Sequence, residues 1–245
     1  SLVGSEMCIR DRSNSLITVE NGEQDLSAIF KTNLKTGDRR LVYKHDTVDI
    51  GAVLVDEEGA VFGTTLMDGY LSWVFFKVEN KEKDRIKEIG AKFPGSNISI
   101  LSISDKEDKM TFTVSSDINP GIHFLFDLNS AELTPLGKFW GSIDESKLSY
   151  MEPISFKSQD GATIHGYLTK SAKGDSINSP TIVHPHGGPE SRDTWGFSPR
   201  VHMLSSEGFN VLQINFRGSS GYGKSHQRFI YGNWDGVLNL SLIHI

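Results

Sequence analysis

The densest chemistry in the sequence is His186-Gly187-Gly188-Pro189, which follows directly on the apolar run Pro180 to Pro185. An acyl-transfer enzyme must stabilise the oxyanion of a tetrahedral intermediate with pre-aimed donors, mainly backbone N–H groups. Adjacent glycines carry no Cβ, so a peptide N–H can come close to a reacting carbonyl. The alternative is an ordinary strand-to-helix turn that uses glycine for its backbone freedom.

Other groupings of reactive types carry less. His184 and His186 form an H-x-H pair, but no third ligand sits at zinc-site spacing, so no metal is expected. Gly218-Ser219-Ser220-Gly221-Tyr222-Gly223 fits a loose G-x-x-G-x-G, not the dinucleotide fingerprint with its partner acid. Ser225 and His226 are neighbours in sequence, whereas a catalytic triad is defined by spatial geometry. His165 and His202 read as packing or surface residues. No Gly-x-Ser-x-Gly occurs anywhere in the chain.

The elements that must position these residues fall into two kinds. Residues 13–148 read as short strands separated by turns, with β-branched and aromatic runs at 28–34, 39–43, 51–55, 60–64, 73–78, 98–103, 110–115 and 123–128. Lys35-Thr36-Gly37-Asp38 and Asp56-Glu57-Glu58-Gly59 are turn signals, and a helical period appears only near Lys81 to Ile89. Many short, evenly spaced strands imply a sandwich, barrel or propeller. The two strand–turn–strand units favour propeller blades, of which this stretch would hold roughly two to three at about 40–45 residues each. A sandwich is the alternative.

The composition changes near residue 149. Pro153 to Lys157 and Thr163 to Thr169 read as two strands around Gln159-Asp160-Gly161. Pro180 to Pro185 reads as a short buried strand of the parallel kind. Arg200 to Glu207 has helical character and stops at Gly208, a residue suited to the C-cap. Phe209 to Asn215 reads as another buried strand. Strand, loop, helix and strand in that order indicate a parallel α/β sheet.

A hydrophobic share of 37% with 23% charged residues is that of a globular chain. A formal charge of −6 offers no basic nucleic-acid surface, and no run of about 18 apolar residues suggests a membrane span. Cys8 is the single cysteine, so no disulfide forms within the chain. The ends read differently from the rest. Leu240 to Ile245 can be encoded by CTG TCT CTT ATA CAC ATC, and the opposite strand of that element reads as Met7-Cys8-Ile9-Arg10-Asp11. Both ends therefore resemble one transposase-type sequencing adapter, and residues 1–12 and 240–245 are set aside. A native N-terminal arm and C-terminal strand are the alternative.

The motifs "H-G-G-P-E-S-R-D-T-W-G-F", "G-F-N-V-L-Q-I-N-F-R-G-S-S-G-Y-G" and "P-I-S-F-K-S-Q-D-G-A-T-I-H-G-Y-L-T" resemble the prolyl oligopeptidase family of serine peptidases, in its acylaminoacyl-peptidase and dipeptidyl-peptidase-like branch. The resemblance covers about 151–235. It implies a mixed fold: the C-terminal blades of a β-propeller at 13–149, followed by the N-terminal part of an α/β-hydrolase domain at 150–239. It also implies that Gly188 lends a backbone N–H to an oxyanion hole, beside Gly187, and that the imidazole of His186 lines that hole. Arg217 would lie near the active-site edge, meeting a carboxylate there or serving in a structural ion pair. The Gly218–Gly223 loop with Tyr222 would shape a pocket or form a plain glycine-rich turn.

The Ser, Asp and His of the triad are expected beyond the end of this chain, in the order that α/β-hydrolases use. The fragment alone would then be inactive, with short peptides as substrates of the parent, no cofactor, and no nucleic-acid or membrane partner. An esterase on the same scaffold, or a non-catalytic binding protein, are the competing functions. Unpaired strand edges, including one along Val211 to Ile214, are expected to make the chain poorly soluble.

Overall fold

The computed structural model describes residues 14–56, 59–141, 143–174, 177–188 and 190–232, together with the backbone of 7–10. The first sheet is an antiparallel meander of β1 (Met7–Arg10), β2 (Ser15–Glu20), β3 (Ala28–Asn33) and β4 (Arg39–Lys44). In β2 the side chains alternate, with Ile17 and Val19 buried between less buried neighbours, as one covered face requires. The β3–β4 turn closes where the sequence signals it: Asn33 Oδ1 accepts from the amides of Lys35 and Thr36, and Gly37 takes φ +75°. The backbone of Met7–Arg10, set aside on sequence grounds, pairs with β2. An open strand edge offers its N–H and C=O groups to any extended segment within reach.

Two further meanders follow. β5 (Val53–Val55), β6 (Val61–Asp68) and β7 (Tyr70–Phe75) form a three-stranded sheet. Helix α1 (Lys81–Lys92) then starts at Asn80, whose side chain caps the amide of Lys83. It leads into β8 (Asn97–Ile103), β9 (Lys109–Ser115), β10 (Ile122–Asp127) and β11 (Leu133–Lys138). Ile89 of the helix joins Ile98, Met110, Phe112, Phe124 and Phe126 in one core.

The last sheet has a different plan. It contains β12 (Met151–Lys157), β13 (Thr163–Thr169), β14 (Thr181–Val183) and β15 (Asn210–Asn215), in the spatial order β12-β13-β15-β14. β12, β13 and β15 run antiparallel in turn, while β14 and β15 are parallel. A parallel pair needs a crossover, and helix α2 (Pro199–Ser206) supplies it, capped by Ser198 and ended before Gly208 at φ +101°. A short helix α3 (Lys224–Arg228) follows. Every residue of β15 is buried. Val211, Leu212 and Ile214 contribute roughly 1.5–3 kcal/mol each by leaving water. Gly166 in β13 is required by close approach, since a Cβ there would meet Gln213 O at 2.3 Å.

Two expectations are corrected here. β14 is not a buried strand: Thr181 and Val183 are exposed, Val183 by 40%. Within the run Val211 to Ile214, Val211 and Leu212 are paired on both sides, because β15 pairs with both β13 and β14. The cause is one and the same. β15 inserts between β13 and β14, so the edge falls to β14.

The two parts share buried contacts. Trp195 Nε1 donates to Met151 O at 3.1 Å, and Tyr167 OH donates to Gly69 O at 2.9 Å. The Asp117 carboxylate, 3% exposed, accepts from the amides of Met151 and Ile118, while its carbonyl accepts from His202 Nε2 at 2.6 Å. The β9–β10 turn, β12 and α2 are thereby tied at one point.

Candidate active site

The carboxyl ends of the parallel strands β14 and β15 lie on one edge of the last sheet. The β12–β13 turn joins them there, because His165 near the start of β13 pairs with Asn215 at the end of β15. Open α/β sheets bind ligands outside the carboxyl ends of their strands. The His184–Asp193 loop leaves β14 at this edge, and His184 N–H still donates to Leu212 O at 2.8 Å.

Gly188 adopts φ +64°, in the left-handed region. A Cβ at Gly187 or Gly188 would meet nothing within 4 Å, so backbone conformation rather than crowding calls for glycine at 188. Among the described residues, no acceptor takes the N–H of Gly188. The ring of His186 stacks on Phe216 with centroids 4.5 Å apart. Its Nδ1 lies 3.2 Å from Gly187 O and its Nε2 lies 2.8 Å from Ser219 Oγ. A carbonyl only accepts, so Nδ1 carries the proton and Nε2 accepts from the serine hydroxyl. His186 lines a cleft of about 330 Å3 with Gly187, but both of its nitrogens are engaged in bracing the two loops.

The main fastener of those loops is Asn215, which is 0% exposed. Its Oδ1 accepts from Asp193 N–H at 2.7 Å, and its Nδ2 donates to Asp193 O and to Tyr222 OH, each at 2.9 Å. Arg192 adds a second tie, donating to Tyr222 OH at 2.9 Å and to Met67 O at 3.2 Å, with its guanidinium 4.4 Å from the Tyr222 ring centroid. Ser220 N–H donates to Ser191 O. Sequence reasoning quoted Asn215, Arg192 and Asp193 inside motifs without giving them roles. A small polar residue closing an apolar strand was the available signal for Asn215.

Arg217 and Tyr222 meet around a second cavity of about 700 Å3, walled also by Asp160, His165, His226 and Phe229. Arg217 is 3% exposed, ion-paired with Asp160 in the β12–β13 turn, and lies 4.2 Å from the Phe229 ring centroid. The Ser158 hydroxyl and the Arg217 guanidinium bring the Asp160 carboxyl down to about 2. Tyr222 stacks on His165 at 4.7 Å and packs against the core of the first two sheets. Burial pushes its phenol up. His186 with Gly187 and Arg217 with Tyr222 are thus brought to two separate cavities.

The remaining groups sort by their partners. Ser225 Oγ donates to Asp25 Oδ2 at 2.6 Å, while His226 Nε2 donates to Phe216 O at 3.1 Å, so this adjacent pair points apart. Burial holds His226 below the usual imidazole range. His202 packs between Phe197 and Asp117. Burial raises the Asp193 carboxyl. Asn233 and Trp234, part of the motif run, lie outside the described residues.

Residues 195–238 match the sequence profile of the Prolyl oligopeptidase family. The chain is similar to Dipeptidyl aminopeptidase BIII of Pseudoxanthomonas mexicana, with 25% identity over 94% of this chain and 34% of that protein. It is 28% identical to Dipeptidyl peptidase family member 6 of Caenorhabditis elegans, over 61% of this chain and 23% of that one. In fold it superposes on a Mycobacterium tuberculosis puromycin-hydrolyzing peptidase with a TM-score of 0.69, at 15% identity over 97% of this chain and 37% of that one. The resemblance read from the motifs is borne out. The mostly β architecture with few helices matches the propeller-type part of prolyl oligopeptidase structures. The chain spans about a third or less of the length of the curated relatives named.

Proposed function

We propose that this chain is part of a serine peptidase of the prolyl oligopeptidase family, with propeller blades in 13–149 and the opening strands of an α/β-hydrolase domain in 150–239. The observation that carries the reading is the Gly188 amide. It lies in a left-handed turn at the carboxyl edge of a parallel strand pair, has no acceptor among the described residues, and sits in a loop fastened by Asn215. In this reading a serine elbow beyond residue 239 arrives on the open edge of β14. Its hydroxyl attacks the scissile carbonyl, a histidine takes the proton and returns it to the leaving amine, and an aspartate orients that histidine. The Gly188 N–H and the amide after the serine hold the oxyanion. Short peptides reach the site between the propeller and the sheet edge.

The test uses the complete reading frame. Expected are covalent labelling of one serine by a fluorophosphonate and faster turnover of aminoacyl nitroanilides than of nitrophenyl esters. Gly188→Ala strains the positive φ and re-aims the amide, and loss of one such donor lowers kcat by about 10²–10³. Ester turnover without amide turnover would favour an esterase. A reading frame lacking any serine elbow would leave a binding protein.

A further inference from the structure

Tyr222 joins the two parts of the molecule. Its hydroxyl receives Arg192 and Asn215, the fasteners of the His184–Asp193 loop, while its ring packs on the core of the first two sheets. What aims it comes from far away in sequence. Asp49, in the connection between β4 and β5, grips the main chain on either side of Tyr222. Its amide donates to Gly221 O at 3.0 Å, and its Oδ2 accepts from Gly223 N–H at 3.0 Å. With the peptide planes before and after it both tied, the two soft dihedrals of Tyr222 have little freedom left.

The carboxylate is itself held. Its Oδ1 accepts from the amide of Ser27, just before β3, at 2.7 Å, and Ser27 Oγ accepts from the amide of Ile50 at 2.8 Å. The loop it grips is glycine-bounded for a reason. Gly221 and Gly223 take φ +89° and +91°. A Cβ at 221 would collide with the Arg192 guanidinium, and one at 223 would meet Asp25 Oδ2 at 2.7 Å. Asp25 adds hydrogen bonds from the amides of Lys224 and Ser225, but it is exposed, where water readily replaces a lost partner. Gly223 is buried, so its N–H depends on Asp49.

We infer that Asp49 is a positioning residue for the loop that carries Gly188. It aims Tyr222, whose hydroxyl meets Asn215 and Arg192, and Asn215 in turn fixes Asp193. Asp49 lines neither of the two cavities, so it acts through Tyr222 and not on a ligand. The catalytic edge is then set partly by the β4–β5 connection of the first part. The consequence for turnover rests on the peptidase reading; the mechanical link does not.

The test is amide exchange in this chain, compared with Asp49→Ala, Tyr222→Phe and the double variant. The main-chain bond to Gly221 survives these substitutions, so the effect reads the carboxylate. Asp49→Ala should speed exchange at Gly223 and at Asp193 about tenfold, the scale of one hydrogen bond, beyond any change at Phe112 in the core of the third sheet. Tyr222→Phe keeps the ring and loses the hydroxyl, so it should speed Asp193 alike, and adding Asp49→Ala should speed Asp193 no further. A plain tether would speed Phe112 equally or add fully to Tyr222→Phe. Either result, or an Asp193 amide unmoved by Asp49→Ala, overturns the inference. Asp49→Asn, with one acceptor oxygen left for two amides, takes the place of Asp49→Ala if that variant does not fold. In the complete reading frame, Asp49→Ala should lower kcat on an aminoacyl nitroanilide about tenfold. KM should stay within about twofold, and a loss confined to KM would overturn the role in turnover. An inactive parent would sink the peptidase reading, while the exchange rates still decide the placement.

Discussion

Replacing Asn215 by alanine tests the loop architecture directly. The side chain makes three hydrogen bonds in a fully buried position: one from Asp193 N–H, one to Asp193 O and one to Tyr222 OH. Each is worth about 1 kcal/mol net, so their simple loss sums to ~3 kcal/mol. Tyr222 keeps Arg192 as a partner, which limits its share. The backbone groups of Asp193 keep no such substitute, and a buried group left bare costs about 1–3 kcal/mol. We therefore expect Asn215→Ala to lower the urea unfolding free energy by ~3–4 kcal/mol. Amide exchange at Asp193 should accelerate by about two orders of magnitude, at ~1.4 kcal/mol per factor of ten. Asn215→Asp keeps the acceptor for Asp193 N–H but loses both donors, so exchange at that amide should change far less than stability does. A loss below ~0.5 kcal/mol, with Asp193 N–H still protected, would refute the claim that Asn215 fastens the loop, since that is the scatter of ordinary surface substitutions.

Three further outcomes follow from the same geometry. The Asp193 carboxyl is raised by burial, so the folded state favours its protonated form. Stability from this group is present below the unfolded value and is lost as pH rises through the folded one, and Asp193→Asn should therefore gain on the parent between pH 4 and pH 7 in denaturation midpoints. Asp160 is depressed to about 2 by Ser158 and Arg217, so its contribution is present above the unfolded value of 3.8 and is lost as pH falls toward 2. Asp160→Asn should flatten that acid limb, and an unchanged limb would mean the Arg217 pair is not formed in solution. The open edge of β14 should drive association of this chain, and Val183→Lys, at an exposed edge position, should reduce it in light scattering. A parent chain that is monodisperse and monomeric would count against that edge.

What was legible in the sequence was local, and what was not depended on strand order. Phe209 to Asn215 reads as a buried strand and Gly208 as a helix stop from their own residues; the strand is found at Asn210–Asn215 and the helix ends before Gly208. Leu133–Lys138 escapes notice because Pro135 and Gly137 argue against a strand. As β11 it is an edge strand with a register shift in its pairing, where proline is tolerated. Ser15–Glu20 also escapes notice, because its burial alternates while its residue types do not: Ser15 is buried and Leu16 is less so. Thr181–Val183 misled for a different reason. Three β-branched residues look alike whether neighbours flank one side or two, and only the insertion of β15 beside β13 decides which strand is left outside.

The same ordering builds the site. Asp193 and Asn215 lie 22 residues apart and are brought together only because the β14 loop and the end of β15 emerge at one edge. In the proposed reading the HGGP motif supplies the donor. The rigidity that would make it a useful donor comes from groups the motif does not contain: Asn215, Ser219, Arg192 and Tyr222. An oxyanion donor is effective because its position is settled before charge develops. Chemistry at Gly188 is therefore expected to be as sensitive to Asn215 as to the glycine itself.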